Sequence, residues 1–525
     1  LYGDKRGLSL FPLELYGDEG GKLFNTSFPF EENRDWHYDC IRNFAMSCMG
    51  REQVLVTPEQ AVYVQELIDA LIGISGKDYV FFAHEDIEGY LYDETEEFVR
   101  PEACQDCVVI RPGTYEEVSA ILKLCNETKT PVIPRGGGTG ACGAAIPTVP
   151  SIIMSMERFR EILEVDETNM MVTCQTGVTL AKLNEYLDEH VHALYFPCHP
   201  GDEGAQMGGM AIENAGGVRA VKHGIMRNYI KGMKVALPSG QVVQLGGKLV
   251  KNNMGYDLMH LLIGSEGTLA VVLEVTLKLY PRLDYTGALV CSFKNTEDAI
   301  ESVAAVQHQG IIPLAVEYMD RMIAVETAEK ISKTWPMSDE GKVDLIYMVE
   351  EATEDALYET AGTIAETCEA HGALNSVIAE NDKDQRNILE VRSNIYEIFK
   401  PYFVDSLDTA VPMAHIGDLM RDIDAIAEKY HTTSPRVGHV ADGNFHNFIM
   451  LEDGKVPAWA DDMRKDIYEA ALKYGGTVTA EHGTGKTRKK YMDLQFSPEV
   501  IEIMKGIKRT FDPNGILNPG VIVDL

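Results

Sequence analysis

His439 and His446 stand seven residues apart in Val437-Gly438-His439-Val440-Ala441-Asp442-Gly443-Asn444-Phe445-His446, and Glu481 and His482 follow in Thr479-Ala480-Glu481-His482-Gly483. Two imidazoles and a carboxylate are a donor set that leaves positions open on a divalent ion, as a catalytic site requires. The odd separation sends the two rings to opposite faces of a regular strand, so they can share an ion only if Asp442-Gly443 makes a turn or bulge between them. Satisfied structural histidines are the other reading of the same residues.

A second chemistry lies in Pro134-Arg135-Gly136-Gly137-Gly138-Thr139-Gly140-Ala141-Cys142-Gly143. Five glycines in eight residues strip the chain of Cβ atoms, so backbone N–H groups can close on a phosphate. Gly138, Gly140 and Gly143 fit G-x-G-x-x-G, but Pro147 and Pro150 follow where a dinucleotide fold needs a helix, and the nicotinamide reading is rejected. Gly485-Lys486-Thr487 imitates a P-loop, yet Ala480 occupies the place of its first glycine. Two further glycine clusters follow, Pro200-Gly201 with Met207-Gly208-Gly209 to Asn214-Ala215-Gly216-Gly217, and Gly255-Tyr256-Asp257-Leu258 leading to Gly264-Ser265-Glu266-Gly267-Thr268. Three glycine loops alternating with β-rich segments such as Met233–Leu237 and Val271–Leu279 suit a long cofactor laid across several loop ends.

These residues need elements to hold them. Strand Cys107–Pro112, a helix opened by the cap Thr114, and the glycine run begin a mixed α/β domain. Beyond residue 284 long acidic helices and strands predict an antiparallel sheet covered by helices. Residues 1–57 show little periodicity and predict an extension wrapped on a surface. A length of 525 residues predicts two or more domains. The net charge of −34 disfavours nucleic acid and anionic membranes, and no apolar run reaches the roughly 18 residues of a membrane span. Ten scattered cysteines suit a reducing cytoplasm, and Cys104-x-x-Cys107, lacking a second donor pair, reads as structural.

The glycine run, the Pro-Gly and Asn-Ala-Gly-Gly segment, and Gly-Tyr-Asp-Leu…Gly-Ser-Glu-Gly-Thr-Leu together resemble the FAD domain of the vanillyl-alcohol-oxidase/p-cresol-methylhydroxylase superfamily. More narrowly they resemble its D-lactate/glycolate/D-2-hydroxyglutarate dehydrogenase branch, over some four fifths of the chain from about Cys104. The resemblance implies an α+β fold: an N-terminal extension (1–57), a two-part FAD-binding domain (58–283), a substrate cap of antiparallel sheet and helices (284–510), and a C-terminal segment (511–525) returning to the flavin. It implies non-covalent FAD, with the pyrophosphate on backbone amides of Gly136, Gly137, Gly138, Thr139, Gly140 and Ala141 beside Arg135, and the flavin ring near Pro200, Gly201 and Asn518. Met207, Gly208, Asn214, Gly216, Gly217, Gly224, Glu266, Val271 and Val272 complete the expected cofactor contacts. Departures from the branch are Cys142 for its serine or threonine, His223 for its tyrosine and Met207 for its threonine.

The branch also implies a divalent metal (Zn, Fe or Mn) on His439, His446 and Glu481, His482 as general base, and Arg392 as the grip on the substrate carboxylate. The alternative for Arg392 is a surface pair with Glu390 or Glu397. Ser406 stands where hydroxyglutarate members carry lysine, which favours D-lactate or glycolate over D-2-hydroxyglutarate. The implied partners are the hydroxy acid and a separate electron acceptor, an electron-transferring flavoprotein or an iron–sulfur subunit, with a homodimer or hetero-oligomer as the assembly. A non-redox FAD transferase like alkylglycerone-phosphate synthase is the rival reading.

Overall fold

The computed structural model describes residues 58–525 apart from 338–340 and 380, together with the backbone of 6–10, 13–19, 22–27 and residue 43. The chain divides into two compact units, residues 1–73 and 74–525. In the first, strands β1 (Arg6–Leu10), β2 (Leu13–Glu19) and β3 (Lys22–Ser27) form an antiparallel meander, with Glu19 paired to Lys22 across Gly20-Gly21. This regular pairing within residues 6–27 is not announced by the weak periodicity of that stretch. Most of residues 28–57 lie outside the described residues.

The second unit opens with a four-stranded sheet of order β4-β5-β7-β6: β4 (Val80–Phe81), β5 (Cys107–Ile110), β6 (Val132–Arg135) and β7 (Ser151–Ser155). β7 runs parallel to both β5 and β6, so the chain crosses from β5 to β6 through helix Tyr115–Thr128. Thr114 caps that helix by accepting from the Glu117 amide at 3.2 Å, as its position predicts. The glycine run leaves β6 at its C-terminal end, where ligands bind in parallel sheets. The far C-terminus joins the same sheet: Val132 N donates to Ile516 O and Asn518 N to Val132 O.

A five-stranded antiparallel sheet follows, of order β12-β11-β13-β9-β8, built from β8 (Ile162–Asp166), β9 (Met171–Gln175), β11 (Ile230–Ala236), β12 (Val242–Gly246) and β13 (Val271–Lys278). A two-stranded ribbon pairs β10 (Leu194–Tyr195) with β14 (Tyr280–Pro281). Helix Met207–Glu213 packs on the larger sheet through Met207, Met210 and Ala211.

From Tyr285 the chain builds a seven-stranded antiparallel sheet: β15 (Tyr285–Phe293), β16 (Ala315–Asp320), β17 (Val343–Glu351), β18 (Asn375–Ile378), β19 (Phe403–Ala410), β20 (Arg436–His439) and β21 (Asn444–Met450), in the order β18-β15-β17-β16-β20-β21-β19. Apolar residues on both faces bury it under two layers of helices. Leu289, Cys291, Phe293 and Tyr318 point into one core, Ala288, Val290 and Met319 into the other. The second core is closed by helices Arg321–Lys330 and Asp382–Phe399. Among the described residues no helix is long and apolar enough to cross a membrane.

Candidate functional site

Strand alternation decides which side chains meet. Ala315, Glu317 and Met319 share the face that carries Val437 and Phe448, so Glu317 is an acid set into an apolar face. Register then lines up polar partners on neighbouring strands: Glu317 opposite His439, Val437 opposite His446, and His446 opposite Asp408. His439 and His446 reach one face because β20 and β21 form a hairpin through Val440–Gly443. The turn anticipated at Asp442-Gly443 is present, and no bulge is needed. Gly443 takes φ +87°, and a Cβ there would lie 2.2 Å from the Val411 carbonyl oxygen.

Glu481 Oε1 lies 3.4 Å from His439 Nε2 and 3.1 Å from His446 Nε2, so one carboxylate oxygen stands between two imidazole nitrogens; the donor atoms that gather within 4.8 Å of one another are those of Asp408, His446, Glu481 and His482, with His439 at their edge. His439 Nδ1 is 2.6 Å from Glu317 Oε1. Nδ1–H donates to that carboxylate, which fixes the tautomer that offers Nε2 to an ion, the usual outer-shell arrangement of metal histidines. Burial works against charge on His439, yet Glu317 and Glu481 outweigh it and raise its pKa well above 6.5. Burial likewise opposes charge on Glu481, and His439 and His446 overcome it to hold the carboxyl well below its usual range. This donor chemistry fits a divalent cation.

Helix Asp382–Phe399 lays Val391 and Ile395 into the core and so carries Arg392 to the site. Arg392 Nε and Nη2 lie 2.8 and 2.7 Å from Glu317 Oε2. Arg392 is thus tied to His439 through one buried carboxylate; its partner is Glu317, and neither Glu390 nor Glu397 takes that place. Sequence reasoning missed Glu317, although an acid inside the alternating run Ala-Val-Glu-Tyr-Met is the signal that could have found it.

The Glu481-His482 turn is held by Asp408. Its Oδ2 accepts from the amides of Ala480, Glu481 and His482, each at 2.8 Å, and from Thr479 Oγ1 at 2.9 Å, while Oδ1 accepts from Asn444 Nδ2 at 2.8 Å. Asparagine at 408 would turn one of these acceptors into a donor facing donors. D408N is expected to lose about 2–3 kcal/mol of stability, the scale of charge-assisted hydrogen bonds, read as a lower urea midpoint at unchanged slope. The His482 ring stacks on His446 with centroids 5.1 Å apart. Its Nδ1 is buried without a hydrogen-bond partner, and burial, with His446 and Arg488 nearby, lowers its pKa below 6.5.

His482 and Glu481 line an open cleft of about 210 Å³ together with the glycine run. Gly136, Gly137, Gly138, Thr139, Gly140 and Ala141 line it, facing Pro200, Gly216, Glu266 and Asn518. Among the described residues the amides of 137–142 donate to no group of the protein. A Cβ at Gly140 or Gly209 would meet no protein atom within 4 Å and would project into the cleft. Gln206 Oε1, Glu213 Oε2 and Asn518 Oδ1 line the same space as buried atoms without partners. Free amides over a Cβ-less floor fit a pyrophosphate, and orphaned polar atoms along the walls fit a polar cofactor. Asp93, Gln206 and Glu213 line the cleft without having been expected to; no spacing marks them.

Arg135 lies under the glycine loop, not in the cleft. Its Nη2 donates to Tyr92 O at 2.9 Å, placing a buried cation beneath the unpaired amides. The remaining expected contacts support the walls. Met207, Val271 and Val272 are buried in the core of the five-stranded sheet. Gly208 is where helix meets strand, since a Cβ there would be 1.6 Å from Thr176 Oγ1. Gly217 lets its backbone pass the His199 carbonyl, 2.0 Å from any added Cβ. Asn214 accepts from the Arg227 amide at 3.0 Å, Gly224 packs on Asn228, and Gly201 is exposed beside Pro200. Glu266 accepts from the Thr484 and Gly485 amides at 2.7 and 2.6 Å, fastening the turn that follows His482 to the cleft wall, while burial pushes its pKa up to about 7. Cys142 is buried against Gly485, and its carbonyl accepts from Lys486 and Thr487.

His223 ties the cofactor half to the seven-stranded sheet. Its Nε2 lies 3.1 Å from Tyr195 OH and 3.2 Å from Glu350 Oε1, and Lys222 Nζ is 3.1 Å from the same carboxylate. Burial opposes charge on Glu350, but His223, Lys222 and Tyr195 prevail and hold its pKa at about 2. A carboxylate whose folded-state pKa is lowered stabilises when ionised. Its contribution is complete above the ordinary value of 4.5 and is lost as pH falls to about 2. E350Q is therefore expected to melt below wild type at pH 7, with the gap in Tm closing across that acid window.

Residues 107–246 match the FAD binding domain family, and residues 284–522 match the C-terminal domain of FAD linked oxidases. The chain is 41% identical to D-lactate dehydrogenase of Archaeoglobus fulgidus, over 83% of this chain and 96% of the relative. It is 31% identical to glycolate oxidase subunit GlcD of Bacillus subtilis, over 87% and 96%. The solved structure of p-cresol methylhydroxylase with substrate bound superposes with a TM-score of 0.72 at 16% identity, covering 90% of this chain and 98% of that one. A glycine cleft built for a dinucleotide, two matched domains spanning most of the chain and this degree of identity lead to one conclusion: the chain belongs to the FAD-linked oxidases of the p-cresol-methylhydroxylase type, in the branch of the D-lactate dehydrogenases and glycolate oxidase subunits.

Proposed function

We propose that the protein oxidises a small D-2-hydroxy acid, D-lactate or glycolate, to the 2-oxo acid in the cytoplasm and hands the electrons to a separate acceptor protein. The observation that carries this reading is the meeting, at one end of the glycine cleft, of the donors His439, His446 and Glu481 with the linked cation Arg392 and the imidazole of His482. When bound, FAD supplies the acceptor for the hydrogen at C2, and a divalent Zn, Fe or Mn ion supplies a Lewis acid that lowers the pKa of a neighbouring hydroxyl.

The protein's own residues do the rest. The planar guanidinium of Arg392 suits a bidentate grip on the substrate carboxylate. Glu317 holds that guanidinium and the His439 ring in fixed relation. His482, neutral at pH 7 because its pKa is lowered, takes the hydroxyl proton on its imidazole. Asp408 keeps the His482 backbone in place and Glu266 anchors the following turn.

Size selection follows from Arg488. Both Nη atoms bond Asp405, at 3.0 and 2.6 Å, and Nη2 also meets the Ser406 carbonyl at 3.3 Å. With serine at 406 and Arg488 held by Asp405, neither position presents a free cation to a second carboxylate, which supports a monocarboxylate. Among the described residues every cysteine is free, in keeping with a reducing compartment.

The test is an anaerobic titration of the FAD-loaded protein with D-lactate, L-lactate, glycolate and D-2-hydroxyglutarate, following loss of flavin absorbance near about 450 nm. Bleaching by D-lactate or glycolate is expected. Bleaching by D-2-hydroxyglutarate alone would overturn the substrate assignment, and no bleaching by any of them would overturn the reaction.

A further inference from the structure

Residues 214–256 contain seven Lys or Arg and no Asp or Glu, within a chain of net charge −34, so the remaining residues together carry −41. Some of the seven are spent inside the fold. Lys222 pairs with Glu350, Lys234 with Glu274, and Lys248 with Glu164 and Asp166. Arg227 and Lys251 are exposed and, among the described residues, form no ion pair.

The same segment exposes large apolar side chains. Val250 is 80% exposed, Met254 93% and Tyr256 95%. These residues are joined to the cleft by direct contacts. Gly216 lines the cleft, Met226 N donates to Ala215 O, Lys231 Nζ donates to Asn228 O, and Gly247 N donates to Lys231 O. The exposed parts of the segment, Arg227, Asn228 and residues 248–256, are therefore linked through Lys231 and Gly247 to the wall of the cleft, while Met226, Tyr229, Ile230, Met233 and Val235 between them are buried in the core.

Unpaired cations around exposed Met and Tyr have the composition of a protein-docking patch, and their sign selects an acidic partner. An anionic lipid surface would be attracted by this patch but repelled by the −41 carried elsewhere. We infer that this face, residues 219–256, docks an acidic electron-carrying protein that collects the electrons of the reduced flavin; the inference rests on the dehydrogenase reading above. The reduced flavin gives up two electrons and releases its protons to solvent, so two one-electron carriers are reduced for each flavin reoxidised.

The experiment uses full-length protein loaded with FAD, its flavin reduced by the hydroxy acid or, independently of that reaction, by light. It is mixed anaerobically with plant plastocyanin, an acidic one-electron carrier, with cytochrome c, a basic one, and with benzoquinone, a small neutral acceptor. R227E/K251E is expected to slow reoxidation by plastocyanin about tenfold or more at low salt, a gap that added salt closes. V250S/M254S is expected to slow it at every salt concentration. Reoxidation by benzoquinone and bleaching by the hydroxy acid are expected to match wild type in both variants. Plastocyanin rates equal in wild type and both variants would overturn the inference. So would patch-dependent binding to phosphatidylglycerol vesicles with those rates unchanged, which would assign the face to lipid. Loss of hydroxy-acid bleaching in wild type, with the light-reduced arm behaving as expected, would instead sink the dehydrogenase reading alone.

Discussion

H482N is expected to slow flavin reduction by the hydroxy acid about 10²- to 10⁴-fold, the usual contribution of a positioned general base, while FAD and metal content stay at wild-type levels. Asparagine nearly preserves the volume and polarity of the ring but cannot take a proton. The His482 amide would still donate to Asp408, so the turn that presents Glu481 stays in place. Stopped-flow bleaching at saturating substrate reads the effect directly. A rate within a few fold of wild type would remove His482 from proton transfer.

E317A is expected to cost about 3–5 kcal/mol of stability, because deleting the buried carboxylate that holds both Nε and Nη2 of Arg392 leaves that guanidinium without its anionic partner. Glu317 is 1% exposed and touches both Arg392 and His439. The same loss frees the His439 tautomer, so metal affinity is expected to fall about 10- to 100-fold. E317Q keeps an oxygen for His439 Nδ1–H and should recover much of the affinity but less of the stability. Urea unfolding and metal content of the dialysed protein separate the two effects, and an E317A protein with wild-type metal affinity would show that the tautomer needs no support.

The parts of this site that were legible in the sequence are those written in local spacing. The glycine run announced a phosphate floor because absent Cβ atoms are a property of composition, and the free amides of 137–142 follow from it. His439 and His446 were legible as a pair because Asp442-Gly443 is a turn signal between two strands. What was hidden depends on register between distant strands. Glu317 reaches His439 across 122 positions and Asp408 reaches the Glu481 amide across 73, and nothing in the local sequence fixes those pairings. Met207, Val271 and Val272, expected as cofactor contacts, have buried side chains, a depth that a resemblance between motifs does not carry. The meander at the N-terminus was missed because its strands are short and its periodicity weak.

The central claim is that an ion held by His439, His446 and Glu481 works together with FAD on a small hydroxy acid. The most direct measurement is single-turnover flavin bleaching by D-lactate or glycolate in protein that keeps its FAD but has been stripped of metal by chelation and dialysis, then reloaded with Zn, Fe or Mn. Bleaching is expected to be lost with the metal and to return on reloading with one of these ions, in wild type but not in a variant lacking Glu481. Equal bleaching rates in stripped and reloaded protein would contradict it, and would leave the histidines and Glu481 as a hydrogen-bonded support for the cleft.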